Sequence, residues 1–251
     1  MITFFSGTGN SKAVAEMLAK QLRDSVVPAM DVLRLNREYV LREGEALGFV
    51  FPVYSWGPPE VVLKLVDSLR LTAVPSYVYF ICTCGDDTGK TADIFCKAVA
   101  ERGWRCAAGF SVVMPNTYVC LPGFDVDSQD VEKRKIAGAA RRVMDLAERI
   151  ANREERFDCH EGTVPRLKSY AIRPVFNKFL TNPKRFQVSA ECVSCGKCIR
   201  VCPTRNITWK DGRPSWGDDC TMCLACYHHC PKHAIGYGGQ TKNKGQYKFP
   251  F

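Results

Sequence analysis

No apolar run in this 251-residue chain approaches the roughly 18 residues that a membrane span requires. No basic segment followed by an apolar stretch opens it, so a secretion leader is not expected and the cytosol is. Histidine is scarce, with four in all, and no Ser–His–Asp or Cys–His set falls in register with a fold element. The Walker spacing G-x-x-x-x-G-K-[ST] is missing. So are basic patches interleaved with aromatics, which single-stranded nucleic acid would need. The formal charge of +9 therefore calls for another account. Hydrophobic and charged contents of 46% and 24% are those of an ordinary soluble protein, with room for one medium and one small domain.

Cysteine is abundant: 14 residues, eight of them in one short stretch. They form two copies of C-x2-C-x2-C-x3-C-P, namely Cys192, Cys195, Cys198, Cys202 with Pro203, and Cys220, Cys223, Cys226, Cys230 with Pro231. Three thiolates two residues apart can grip three irons of one cube, while the fourth reaches across to the other cube. The spacing therefore assigns Cys192, Cys195, Cys198 and Cys230 to one 4Fe-4S cluster and Cys220, Cys223, Cys226 and Cys202 to a second. Ile207 and Ile235 stand five residues past the last cysteine of each copy, so the repeat offset is constant. Between the copies, Asn206–Trp209 and Pro214–Trp216 read as a hairpin turning at Asp211-Gly212. Zinc ribbons use separated pairs of ligands and match this pattern less well, and a disulfide framework matches it less still. His228 and His229, between Cys226 and Cys230, are not needed as ligands. A module this small leans on its clusters for stability.

The first 150 residues alternate strands and helices. Strands are expected near Met1–Phe5, Val26–Leu33, Ala46–Val53, Tyr77–Cys82 and Ala107–Met114. Helices are expected near Ser11–Leu22, Pro59–Leu69, Thr91–Arg102 and Asp130–Asn152. That order predicts an α/β fold with a doubly wound five-stranded parallel sheet, whose ligand sits at the carboxyl ends of the strands. Ser6-Gly7-Thr8-Gly9-Asn10-Ser11 runs from the first strand into a helix, with glycines and hydroxyls suited to cradle a phosphate. A dinucleotide fingerprint fails there, because Lys12 stands where the third glycine belongs, although Asp31 lies near the ribose-binding distance. Pro52-Val53-Tyr54-Ser55-Trp56-Gly57 brings aromatics to a second loop, and Thr83-Cys84-Gly85 ends the fourth strand.

These three loops resemble the phosphate and ring loops of flavodoxins. With both cysteine runs, Met114–Tyr118 and the tail Lys244–Pro250, the chain resembles the fused flavodoxin–ferredoxin family over nearly its whole length. The resemblance implies strand order 2-1-3-4-5, a small α+β two-cluster ferredoxin domain, and FMN. The phosphate would lie on Ser6, Gly7, Thr8, Gly9, Asn10 and Ser11. The ring would lie among Pro52, Tyr54, Ser55, Trp56, Gly57, Thr83, Cys84, Gly85, Asn116 and Tyr118, with Trp56 the first choice of stacking partner and Cys84 standing where many flavodoxins place an aromatic.

Loaded with two oxidised cubes and one flavin phosphate, the chain would carry about +3. Much of the basic excess lies at Arg166, Lys168, Arg173, Lys178, Lys184 and Arg185, either as a solvated surface or as a dock for an acidic redox partner. The expected organisation is a flavin domain over 1–152, a proline-containing connector over 153–188 with a short helix near Pro174–Leu180, and a cluster domain over 189–251. A freely swinging connector is the alternative to one packed on both domains. The other six cysteines (Cys82, Cys84, Cys96, Cys106, Cys120, Cys159) read as small buried hydrophobes, with Cys82–Cys84 a conceivable redox pair. The expected function is single-electron transfer with a partner oxidoreductase. A reductase of a small organic acceptor and a redox-sensing regulator are the alternatives.

Overall fold

The computed structural model describes residues 1–251, and its first half is built on one twisted parallel sheet. Its strands are β1 (Ile2–Phe4), β2 (Val26–Pro28), β3 (Ala46–Pro52), β4 (Tyr77–Cys84), β5 (Cys106–Val113) and β6 (Phe157–Asp158). They lie in the order β2-β1-β3-β4-β5-β6. The first five follow the order 2-1-3-4-5, and two residues of the expected connector add a parallel sixth. All eight residues of β4 are buried, because helices cover both faces of the sheet. One face packs Phe49, Phe51, Phe80 and Phe95 together, and the other packs Ile2, Val14, Tyr79, Phe110 and Leu146.

The helices are α1 (Asn10–Leu22), α2 (Ala29–Leu35), α3 (Glu60–Ser68), α4 (Thr91–Glu101) and α5 (Gln129–Ala151). The strand expected over Val26–Leu33 is corrected here: it ends at Pro28, and α2 follows at once. Pro28 cannot donate to a continuing ladder, and Ala29 and Val32 bury one helical stripe three residues apart. Asn36, left-handed at φ 42°, stops the helix.

The connector is packed rather than free. Thr88 N–H and Oγ1–H both donate to the His160 carbonyl, at 2.8 and 3.1 Å. Lys90 pairs with Glu161 at 2.8 Å and Lys168 with Asp87. A π-helical stretch over Leu167–Ile172 runs into α6 (Arg173–Phe179), so the helix begins earlier than the sequence suggests.

The remaining residues build the small second layer: β7 (Phe186–Val188), α7 (Lys197–Val201), β8 (Ile207–Lys210), β9 (Arg213–Trp216), α8 (Ala225–His228) and β10 (Ile235–Tyr237). β8 and β9 form the expected hairpin, with Asp211 and Gly212 both left-handed as a tight primed turn requires. The 28-residue offset of the cysteines recurs in the backbone. Ser194 and Met222, Gly196 and Leu224, and Arg205 and His233 are all left-handed and pair off at that same interval. Ile207 and Ile235 are both buried at equivalent places in the core of this layer. Val119 and Cys120, from the loop after β5, enter the same core, so the two halves share packed surface.

Candidate functional site

The eight repeat cysteines line two separate cavities, four to each, in the crossed arrangement the spacing predicts. One cavity has Cys192, Cys195, Cys198 and Cys230 in its wall. The other has Cys202, Cys220, Cys223 and Cys226. All eight are free thiols, and no three of these side chains converge as a single ion would require. A cavity ringed by four sulfurs fits a cube. Backbone donors repeat too: Asn206 N–H points at Cys202 Sγ at 3.3 Å, and Ala234 N–H at Cys230 Sγ at 3.2 Å.

The second cavity is the drier. Burial pushes the Cys223 thiol up to about 12 and that of Cys226 well above its ordinary range. Sulfurs held this far from water keep their protons until a cation replaces them. Trp216 Nε1 and Thr221 Oγ1 are buried without a hydrogen-bond partner. They lie near the Cys226 and Cys223 thiols, whose pKa each lowers, and would donate to cluster sulfur when a cube is bound. Donors to cluster sulfur raise the reduction potential by favouring the added negative charge. Trp216→Phe keeps the ring that stacks on Phe186 at 5.0 Å and removes the donor. Potentiometric titration followed by electron paramagnetic resonance is expected to show one of the cluster potentials lower by about 50 mV; an unchanged potential would remove Trp216 from this role.

The phosphate-cradle loop lies directly beneath this second cavity. A Cβ added to Gly7 would stand 2.6 Å from the Cys223 carbonyl oxygen and 2.8 Å from Cys223 Cβ, so only glycine fits. Gly9 is left-handed at φ 106°, and its N–H donates to Ser6 Oγ at 3.2 Å. Thr8 is buried. Ser11 Oγ and Thr83 Oγ1 are 2.8 Å apart, joining the first loop to the third. Asn10 is engaged on both sides: its amide donates to the Pro115 carbonyl at 2.9 Å, and its Oδ1 accepts from Tyr247 at 2.7 Å.

The ring-loop candidates divide into two groups. Tyr54 faces inward, its ring 6.4 Å from Phe5, and burial with the nearby Cys223 and Cys220 raises its hydroxyl well above the usual range. Tyr54 and Gly57 exchange backbone hydrogen bonds at 2.9 and 3.2 Å, closing a tight turn with Ser55 and Trp56 both left-handed (φ 49° and 58°). A left-handed tryptophan is a strained conformation, and such strain gathers at ligand clamps. Trp56 Cβ packs on Gly89, Lys168 Nζ sits 5.6 Å from its ring centre, and Ser169 Oγ donates to its carbonyl at 2.8 Å. Trp56 is thus held against the connector. Pro52 ends β3 in register with Thr83. Cys84 Sγ donates to the Asp86 carbonyl at 3.3 Å, and Gly85 is closed over by Asn116, whose amide is fixed by Asp127 at 3.1 Å. Tyr118 packs on Phe124 and Phe176, at the seam with α6.

Several residues the motifs did not reveal hold these parts together. His228 is buried. Its Nδ1 accepts from Tyr247 N–H at 3.1 Å and its Nε2–H donates to the Thr117 carbonyl at 2.8 Å. That fixes one neutral tautomer, and burial lowers its pKa to about 4. His229 Nδ1 is 2.9 Å from the Ala225 carbonyl, so both histidines serve the backbone. Tyr227 O–H meets the carbonyls of Lys244 and Gly245. Lys244 Nζ donates to the carbonyls of Val119 and Leu121. The signal for this strap was the tail Lys244–Pro250, whose partners lie far away in sequence. Among the other cysteines, Cys82, Cys84 and Cys120 are buried, as expected, while Cys96, Cys106 and Cys159 are half-buried. Cys82 lies beside Cys159 and Cys96 beside Cys106, so a Cys82–Cys84 pairing is not what the fold favours.

No helix is long and apolar enough to cross a membrane. Residues 1–119 match the family model of the flavodoxin domain, and residues 190–235 match that of the 4Fe-4S dicluster domain. Among solved structures, a Streptococcus pneumoniae TIGR4 flavodoxin is similar at 16% identity, covering 60% of this chain and 96% of that one, with a TM-score of 0.38. The Trp repressor binding protein of Bacillus subtilis is similar at 16% identity, covering 58% and 97%, with a TM-score of 0.37. A flavodoxin from the domain Archaea gives 16%, 60% and 96%, with a TM-score of 0.36. No curated protein matches the chain. A flavodoxin domain and a 4Fe-4S domain joined in one polypeptide make this chain a fused flavodoxin–ferredoxin protein, a redox protein of flavin and iron–sulfur chemistry.

Proposed function

We propose that this chain is an electron-transfer protein that moves single electrons between FMN and two 4Fe-4S clusters, and exchanges them with a separate redox protein in the cytosol. The observation that carries this reading is the contact of Gly7 with Cys223, which sets a cluster loop on the phosphate loop without an intervening side chain. When bound, FMN takes up electrons in pairs and releases them singly, while each cube moves one at a time.

The chain's own residues supply binding and insulation. Ser6, Gly7, Thr8, Gly9, Asn10 and Ser11 would hold the phosphate at the start of α1, where unpaired N–H groups favour an anion. Pro52, Tyr54, Ser55, Trp56, Gly57, Thr83, Cys84, Gly85, Asn116 and Tyr118 would surround the ring. Cys192, Cys195, Cys198 and Cys230 would hold one cube, and Cys202, Cys220, Cys223 and Cys226 the other. In this reading residues 1–152 form the flavin domain, 153–188 the connector and 189–251 the cluster domain. Ser169 on Trp56 and Arg173 on Pro58 (2.7 Å) put the connector over the second loop. A reductase would want that space for an organic substrate, so the carrier reading is favoured.

Anaerobically purified protein is expected to contain about eight irons, about eight sulfides and one FMN per chain. After reduction, its flavin is expected to reoxidise quickly with a redox protein and slowly with small organic acceptors. Zinc in place of iron, or absence of flavin, would overturn the cofactor assignment. Fast turnover of one small substrate without a partner would replace the carrier by a reductase.

A further inference from the structure

The two sulfur cavities are not equivalent. The one lined by Cys202, Cys220, Cys223 and Cys226 lies inside, against Gly7 and under Trp216 and Phe186. The one lined by Cys192, Cys195, Cys198 and Cys230 lies at the surface: Cys195 is exposed, as are Val193 (56%) and Trp209 (47%) beside it. If electrons pass between flavin and clusters, the inner site is the one that faces the flavin. The outer site is the one a second protein can approach.

The outer rim has a defined chemistry. Lys197 and Lys232 line the cavity, and Arg200 Nη1 donates to the Cys195 carbonyl at 3.0 Å, holding its guanidinium over the rim. Lys210 and Arg213 flank the hairpin turn, which Ser194 Oγ ties to this loop through the Gly212 carbonyl at 3.0 Å. Over residues 189–200, 209–214 and 230–235, which make the rim, the carboxylates are Glu191 and Asp211 alone. An exposed apolar centre of Val193, Trp209 and Pro231 sits within this basic border. A small apolar centre holding a tryptophan, within a charged border holding arginine, is the anatomy of an interface.

We infer that this rim is a docking port for a second redox protein that is acidic on its contact face, and that electrons enter or leave the chain there. The inference rests on the carrier reading above. A basic border steers an acidic partner and raises its encounter rate, with a steep dependence on salt. A second copy of this chain carries the same basic border and is repelled by it.

The probe is an acidic rubredoxin, mixed with the reduced holoprotein in a stopped-flow spectrometer, with hexaamminecobalt(III) as a cationic control. Lys197→Glu/Arg200→Glu/Lys232→Glu is expected to slow rubredoxin reduction at least tenfold at low salt and to quicken the cobalt reaction. Lys178→Glu/Lys184→Glu, on the connector, is expected to change neither. If charge reversal costs the variant its iron, Lys197→Gln/Lys232→Gln carries the test with a fall of about threefold. An equilibrium readout accompanies the rates: carbodiimide is expected to cross-link rubredoxin carboxylates to Lys197 and Lys232, mapped by mass spectrometry. A wild-type rubredoxin rate in the loaded variants, or cross-links confined to the connector, would overturn the port while leaving the carrier reading intact. Failure of the reduced wild type to pass electrons to any acceptor would sink the carrier reading, and the port with it.

Discussion

Replacing Cys223 by alanine is expected to cost the protein flavin as well as iron. Cys223 would be a ligand of the inner cube, so iron content should fall from about eight to about four per chain. The same residue lies against Gly7 and joins the core cluster of the first half. Losing the cube frees the Cys223 loop, and the phosphate loop then has no wall on that side. Cys195→Ala makes the matched control, because Cys195 is exposed on the outer cavity, far from that loop. It should lose a similar amount of iron and keep at least twice as much flavin. Iron and flavin assays on the two proteins, purified side by side without oxygen, decide the matter. Equal flavin in both would show that the inner site does not support the cradle.

Deleting residues 245–251 is expected to have the larger effect on stability. That strap donates from Gly245 N–H to Asp125 at 2.9 Å, from Tyr247 N–H to His228 and from Tyr247 O–H to Asn10, and from Phe249 N–H to the Thr8 carbonyl at 2.9 Å. Gln246 spans the carbonyls of Tyr227 and Cys230, and Phe249 packs on the core beneath α1. Several hydrogen bonds near 1 kcal/mol each, together with the apolar area of Phe249, amount to about 4–6 kcal/mol. The expected result is a lower urea midpoint, faster flavin dissociation and new trypsin sites at the basic residues of the connector. Tyr247→Phe tests one strand of the strap, with an expected loss of about 1 kcal/mol and weaker flavin retention. A truncated protein with an unchanged midpoint would show that the strap holds nothing.

Much of this was written locally and could be read locally. The cysteine triplets and their following prolines point to the crossed sets that line the two cavities, because the spacing itself limits which sulfurs could share a cube. Asp211-Gly212 announces its turn, and alternating strands and helices announce a doubly wound parallel sheet, whose strand order came with the family resemblance. Other features depend on partners remote in sequence. Val26–Leu33 is apolar enough for a strand, but Pro28 ends the ladder, and the stripe of Ala29 and Val32 belongs to a helix. Phe157 and Asp158 become a sixth strand only because the edge of β5 is open beside them. Trp56 suits a flat ring by composition, whereas its left-handed turn and its hold by Ser169 of the connector depend on residues remote in sequence. His228 sits inside a cysteine run and Tyr247 inside the tail, yet neither segment announces what its side chain holds. Their worth lies in contacts made 111 and 237 residues away.

The hydrogen bond from Phe249 to Thr8 also makes the cradle loop depend on residues remote from it in sequence. A lesion at either end of that bond is then felt at the other, because the two segments share one wall. Contacts of such long sequence separation slow folding, so the strap is expected to close last, over a sheet and cysteine loops already formed.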